Sequence, residues 1–277
     1  MHSPSHPHAV RLIGFSPADC ACLGASLLLS PPSGPHFYCL LEDSLQEPDL
    51  YLVRSDDAAA LTSLAGLNPN EVTPALLLGP ATPGLPFARL DWPPESARLY
   101  QVLAELMAQR AQALARMAAR GQAPVLIERR RHPRLDIDLG QATESEYATL
   151  RRPPPSGAIL IVDKGGAFRD HVAKVVGARR LPVEWTDSAG AAVRLCDETA
   201  VSLLMINTST PQVDPYRLCA DVKQLPSAER TAVVFLVARS YPYDAPRARA
   251  CGVRGLLDKP VADRHLYSAI RKLMSLP

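Results

Sequence analysis

The chain has 277 residues, 47% of them hydrophobic, with 30 lysines and arginines against 28 aspartates and glutamates, which suits two ordinary domains at near-neutral charge. That balance leaves no electrostatic footprint for nucleic acid or another polyanion, and no apolar run approaches the roughly 20 residues of a membrane span. The opening MHSPSHPHA has neither the basic start nor the apolar stretch of a secretory signal, so a cytoplasmic protein with reduced cysteines is expected, and no membrane partner.

Residues 1–9 read as a disordered tail, and 10–15 (VRLIGF) as a buried strand. Residues 17–29 read as a helix behind Ser16, a suitable cap. Cys20 and Cys22 stand one residue apart, near His2, His6 and His8, which is not a zinc spacing; no metal or cofactor is expected. Residues 36–41 are a second apolar run and 49–53 (DLYLV) a third strand. Asp56 and Asp57 then start an alanine-rich helix to about Ala65. Residues 75–78 (ALLL) and 87–90 are the fourth and fifth strands. Strands alternating with helices predict a parallel sheet covered on both faces.

From Glu95 to Arg120, Leu99, Val102, Leu103, Leu106, Met107, Leu114 and Met117 recur at helical spacing, and Gly121 ends the pattern. The helix is longer than a small domain needs, so its second half is expected to act as an interdomain strut or as the contact of a homodimer. Residues 122–156 then form a linker rich in arginine and proline, ending in Pro153-Pro154-Pro155. Within it, Arg129, Arg130, Arg131 and Arg134 are candidate anion ligands. Arg130 and Arg134 have the spacing of the RxxxR that opens PilZ domains, a resemblance that implies cyclic di-nucleotide binding. The barrel that should follow is missing, and a solvated basic linker is the plainer reading.

Beyond the linker the alternation is strict. Strands are predicted at 158–162, 183–185, 203–206, 232–238 and 255–258, with helices at 168–176, 189–196, 217–225, 244–251 and 262–274. GAILIV precedes Asp163, SLLMIN ends at Asn207, and GLLDKP carries Lys259. In this layout the second half, 157–277, resembles a response regulator receiver domain, a doubly wound (βα)5 flavodoxin-like fold.

The resemblance implies a pocket in which two acidic residues after the first strand and an acceptor aspartate after the third hold Mg²⁺. It also implies a hydroxyl residue after the fourth strand and a lysine after the fifth. Here those places hold Asp163 and Lys164, Asn207, Val237 and Lys259, and the aromatic switch position is Leu256. One carboxylate faces two lysines, and an amide is a far weaker nucleophile towards phosphorus than a carboxylate, so the domain reads as a degenerate receiver. Asp163, Asn207 and the lysines are expected to satisfy one another without a metal. Thr208, Ser209, Thr210 and Asp214 lie near the lost acceptor as alternative sites of modification.

The first half, 10–121, carries a weak internal echo of the second. Leu90-Asp91-Trp92-Pro93 has the form of Leu257-Asp258-Lys259-Pro260, and DLYLVR puts Arg54 where SLLMIN puts Asn207. A smaller receiver-like α/β domain is the reading, with a generic α/β domain as its rival.

In receivers the face built from the fourth helix, fifth strand and fifth helix meets partners. Here it offers Arg247, Arg249, Arg254, Arg264, His265 and Tyr267 as a candidate interaction surface. No GxSxG, HExxH, P-loop or kinase motif is present, and no segment is left over for a DNA-binding helix-turn-helix. The expected function is therefore that of a non-catalytic, phosphorylation-independent signalling adaptor or regulator acting on protein partners. A sensor of cyclic di-nucleotide or another anion, using the linker arginines or the positive pocket, is the alternative.

Overall fold

The computed structural model describes residues 7–28, 34–81, 84–120, 157–177 and 181–276. The linker, with Arg129, Arg130, Arg131 and Arg134, lies outside them. The chain forms two compact units: Met1–Leu40 with Glu47–Arg134, and Leu41–Gln46 with Leu135–Pro277. The short insert Leu41–Gln46 thus departs from the division expected from sequence, because its contacts are with the second unit.

The first unit runs β1 (His8–Ile13), α1 (Pro17–Leu28), β2 (Phe37–Cys39), β3 (Leu50–Arg54), α2 (Ala58–Leu67), β4 (Ala75–Leu78), β5 (Ala88–Leu90) and α3 (Ser96–Ala119). Its sheet has the order β2-β1-β3-β4-β5, all parallel. β1 begins inside the stretch expected to be a tail, because His8 and Ala9 already pair with Phe37 and Tyr38. Alternation along β3 sends Leu50 and Leu52 to the face covered by α1 and α3, and Tyr51 and Val53 to the face covered by α2. The turn into α1 is closed by Ser16, whose Oγ accepts from the Asp19 N–H at 3.2 Å, and α2 is capped by Asp57.

Helix α3 is held to its own unit by local contacts. Its buried stripe, Leu99, Val102, Leu103, Leu106 and Met107, packs on the sheet. One turn further on, Arg110 pairs with the buried Asp49 at 2.7 Å and donates to the Val72 carbonyl at 2.7 Å. Asp49 in turn accepts from the Ala9 N–H at 2.9 Å. The second half of the helix, expected to need an outside partner, is therefore engaged by its own unit at this point, because a buried carboxylate demands a cation there.

The second unit runs β6 (Ala158–Val162), α4 (Ala167–Val176), β7 (Val183–Thr186), α5 (Ala189–Glu198), β8 (Val201–Asn207), α6 (Pro215–Lys223), β9 (Ala232–Val237), α7 (Ala245–Ala250), β10 (Gly255–Asp258) and α8 (Asp263–Leu273). All five strands are parallel in the order β10-β9-β8-β6-β7, the same winding as in the first unit. Near-continuous apolar strands reflect burial on both faces, with α5, α6 and α7 on one and α4 and α8 on the other. Helix starts are local: Asp214 accepts from the Tyr216 and Arg217 N–H groups with Pro215 in the first turn, and Asp244 and Ser188 do the same work at α7 and α5.

Among the described residues no helix is long and apolar enough to cross a membrane. Burial raises the Cys196 thiol to about 11 and the Cys219 thiol to about 12, whereas Cys22 is exposed. Native-state alkylation near neutral pH, read by peptide mass spectrometry, should label Cys22 and spare Cys196 and Cys219. Equal labelling of all three would contradict this packing.

Candidate functional site

In a doubly wound sheet, functional groups gather at the carboxyl ends of the strands where the strand order reverses, here between β6 and β8. Asp163 follows β6, Asn207 ends β8 and Lys259 follows β10, so the topology collects these three from distant parts of the sequence. Asp163 and Asn207 are 8% and 4% exposed, and the Asn207 Nδ2 donates to Asp163 Oδ1 at 2.6 Å. The same carboxylate oxygen accepts from the Lys164 N–H at 2.7 Å. Asn207 Oδ1 accepts from the Ser209 N–H at 3.1 Å, which fixes the orientation of the amide. The indole of Trp185 donates to the Asp163 carbonyl at 2.9 Å and steadies the strand end.

The Lys164 side chain is exposed and Lys259 is half-buried. Burial lowers the Lys259 pKa, Asp163 works against that shift, and Lys164 adds to it. The donor set for a hard divalent ion is poor. It has one carboxylate, already holding two N–H groups, with a lysine in the adjoining acidic position and an amide opposite. Val237, in the hydroxyl position, and Leu256, in the aromatic position, are both fully buried core residues.

The family profile of the Response regulator receiver domain matches residues 159–271. The second unit has the receiver fold. Among solved structures, the chain is similar to a putative response regulator from Chloroflexus aurantiacus J-10-fl, at 20% identity, TM-score 0.40, over 44% of this chain and 99% of that one. It is also similar to the signal receiver domain of a signal transduction histidine kinase from Syntrophus aciditrophicus, at 28% identity, TM-score 0.39, over 43% and 90%. The chemotaxis response regulator CheY4 of Vibrio cholerae matches at 17% identity, TM-score 0.39, over 43% and 99%. No curated protein matches the chain.

The first unit can be compared with the receiver position by position through its sheet register. Ile13 pairs with Val53 as Val162 pairs with Ile206, and Leu78 pairs with Leu90 as Leu236 does with a β9-paired neighbour, Leu257. Gly14, Arg54 and Trp92 therefore occupy the places of Asp163, Asn207 and Lys259. Arg54 pairs with Asp56 at 2.6 Å, lies 3.7 Å from Asp19, and stacks 4.6 Å over the Trp92 ring, which itself packs on Phe15. Gly14 has φ +81°, and a Cβ there would stand 2.5 Å from the Cβ of Ala60, so this place has no room for a carboxylate side chain.

The residues expected on the interaction face divide. Arg247 pairs with Asp214 at 3.2 Å and stacks 4.3 Å over Tyr216, and Arg254 and Arg264 are exposed. His265, expected to be exposed, is buried, because His265 and Ala269 share with Leu266 and Ile270 the inward stripe of α8. Tyr267 is half-buried. Arg249 is not an open contact residue: it binds Glu42 and Asp43 of the insert at 3.0 and 2.8 Å.

Of the hydroxyls near Asn207, Thr208 and Thr210 are buried and donate to the carbonyls of Leu236 and Val162, while Asp214 is committed to its cap. A cavity of about 500 Å³ beside Lys259 is lined by Phe168, His171, Ala238, Arg239, Pro260 and Val261. His171 contacts Asp263 at 3.0 Å, and Arg239 also has a partner.

Reading from sequence missed the insert and the buried Asp258 beneath it. The available signal was negative: between the second and third strands of the first half no helical pattern appears where the alternation calls for one.

Asn207→Ala should leave the Asp163 carboxylate short of a donor and lower stability by about 1–3 kcal/mol. Urea denaturation reads this directly, and an unchanged midpoint would mean that the hydrogen bond contributes nothing.

Proposed function

We propose that this chain is a signalling module of the two-component type whose receiver domain works through protein contacts and without phosphoryl transfer at Asn207. The observation that carries this reading is the Asn207–Asp163 hydrogen bond, which uses the one carboxylate of the pocket for an internal contact. Lys164 and Lys259 leave the pocket with more positive than negative charge, so there is little to attract Mg²⁺, and the amide offers no nucleophile. The residues present do not fit the metal.

The buried Val237 and Leu256 support the same conclusion, since neither offers the hydroxyl or the aromatic ring through which a receiver would register a modification. We read the first unit as a more diverged receiver-like domain on the strength of its identical strand order and register. Its Arg54–Trp92 stack stands where phosphoryl chemistry would otherwise occur. The homodimer contact through α3 and the non-enzymatic character belong to this proposal as well.

Acetyl phosphate with Mg²⁺, read by intact mass, tests the reading. The wild type should gain no adduct, while Asn207→Asp combined with Lys164→Asp restores the carboxylates and serves as the comparison. A phosphoryl adduct on the wild type would overturn the proposal.

A further inference from the structure

β10 is an edge strand of the second unit's sheet, and its outer side is covered by Leu41–Gln46. The Leu45 N–H donates to the Leu256 carbonyl at 2.8 Å and the Leu256 N–H donates to the Asp43 carbonyl at 3.2 Å, around a parallel bridge between Ser44 and Leu256. These are ladder hydrogen bonds, the interaction by which an added strand extends a sheet. Leu41 packs against the core layer beneath α6 and α7, and Leu45 against the layer beneath α4 and α8, so the segment straddles the edge.

The side chains read the segment in order. Arg249 binds Glu42 at 3.0 Å and Asp43 at 2.8 Å, and the Tyr243 hydroxyl donates to Asp43 at 3.1 Å. The buried Asp258 accepts from the Ser44 hydroxyl at 2.5 Å, and its own N–H donates to Gln46 Oε1 at 2.9 Å. A carboxylate in the place of Ser44 would meet Asp258 and be repelled, so the edge selects two acidic residues followed by a hydroxyl. Gly255 keeps the approach open: its φ is +151°, and a Cβ there would stand 2.7 Å from Leu45 Cδ2 and 2.9 Å from the Asp43 carbonyl.

We propose that the β10 edge, with Arg249, Tyr243 and Asp258, is a recognition site for an extended acidic tract, filled in this chain by its own Leu41–Gln46 and entered by a partner whose tract displaces it. This rests on the reading that the chain works through protein contacts and names the chemistry of one such contact. It predicts that the site is occluded in the resting chain and becomes available only when the tract leaves.

The probe is a fluorescent synthetic peptide of residues 40–48, read by anisotropy on the full chain. A variant with Glu42→Gly, Asp43→Gly and Ser44→Gly should bind it at least about tenfold more tightly than the wild type, whose tethered tract competes at high effective concentration. Adding Arg249→Glu to that variant should abolish binding, and a peptide of scrambled order should not bind. Failure of the glycine variant to take the peptide while its circular dichroism matches the wild type would overturn the proposal, as would equal binding by the scrambled peptide.

Should the glycine variant not fold, hydrogen exchange decides the matter. The Leu45 and Leu256 amides should be protected in the wild type and lose protection in Arg249→Glu, and unprotected amides in the wild type would overturn the site. Neither result bears on whether acetyl phosphate modifies the chain, so the two proposals fail separately.

Discussion

The hydrogen bond from Asn207 to Asp163 is short, buried and placed where the sheet changes its direction of winding. A buried carboxylate must find partners, and here it finds them in a side-chain amide and the backbone N–H of Lys164. That choice sets the electrostatics of the strand ends. With the carboxylate satisfied internally, Lys259 is left with burial and Lys164 as the influences that lower its pKa and Asp163 as the one that raises it. Within the pocket the side chains of Asp163 and Asn207 satisfy each other, and such a buried polar pair fixes local conformation.

The two units give different answers to the same structural question. Each is a parallel five-stranded sheet of the same winding, and each brings the ends of its first, third and fifth strands together. In the second unit the residues gathered there form a carboxylate–amide pair beside lysines. In the first, the corresponding register positions hold Gly14, Arg54 and Trp92, and the result is a stacked cation held by Asp56 and Asp19. Both arrangements are satisfied by neighbours within a few residues of the strand ends. The proposed function through protein contacts rests on this, and the β10 edge is the surface whose chemistry supports it most specifically.

Much of this was readable in the sequence because it rests on local pattern. Apolar runs of strand length before Asp163, Asn207 and Lys259, and caps such as Asp57, Asp214 and Asp244, are written within a few residues of the elements they define. The identity of each residue at the strand ends then followed from counting. The insert Leu41–Gln46 did not follow, because its partners Tyr243, Arg249, Leu256 and Asp258 lie some 200 residues away and leave no periodicity behind. For the same reason Arg249 looked like a solvent-facing arginine, and the pattern of α3 did not announce that Arg110 reaches Asp49 and Val72. His265 was misplaced for a smaller reason: a titratable residue on a short helix reads as exposed until the phase of its apolar stripe is fixed.

The central claim is that the strand-end pocket is closed by its own side chains, and the most direct measurement is thermal melting of the intact chain with Mg²⁺ and beryllofluoride, a stable mimic of a phosphoryl group on a carboxylate. A ligand that binds only the folded state must raise the melting temperature. The account predicts identical melting curves with and without the pair of ligands, and a melting temperature that rises with their concentration would contradict it.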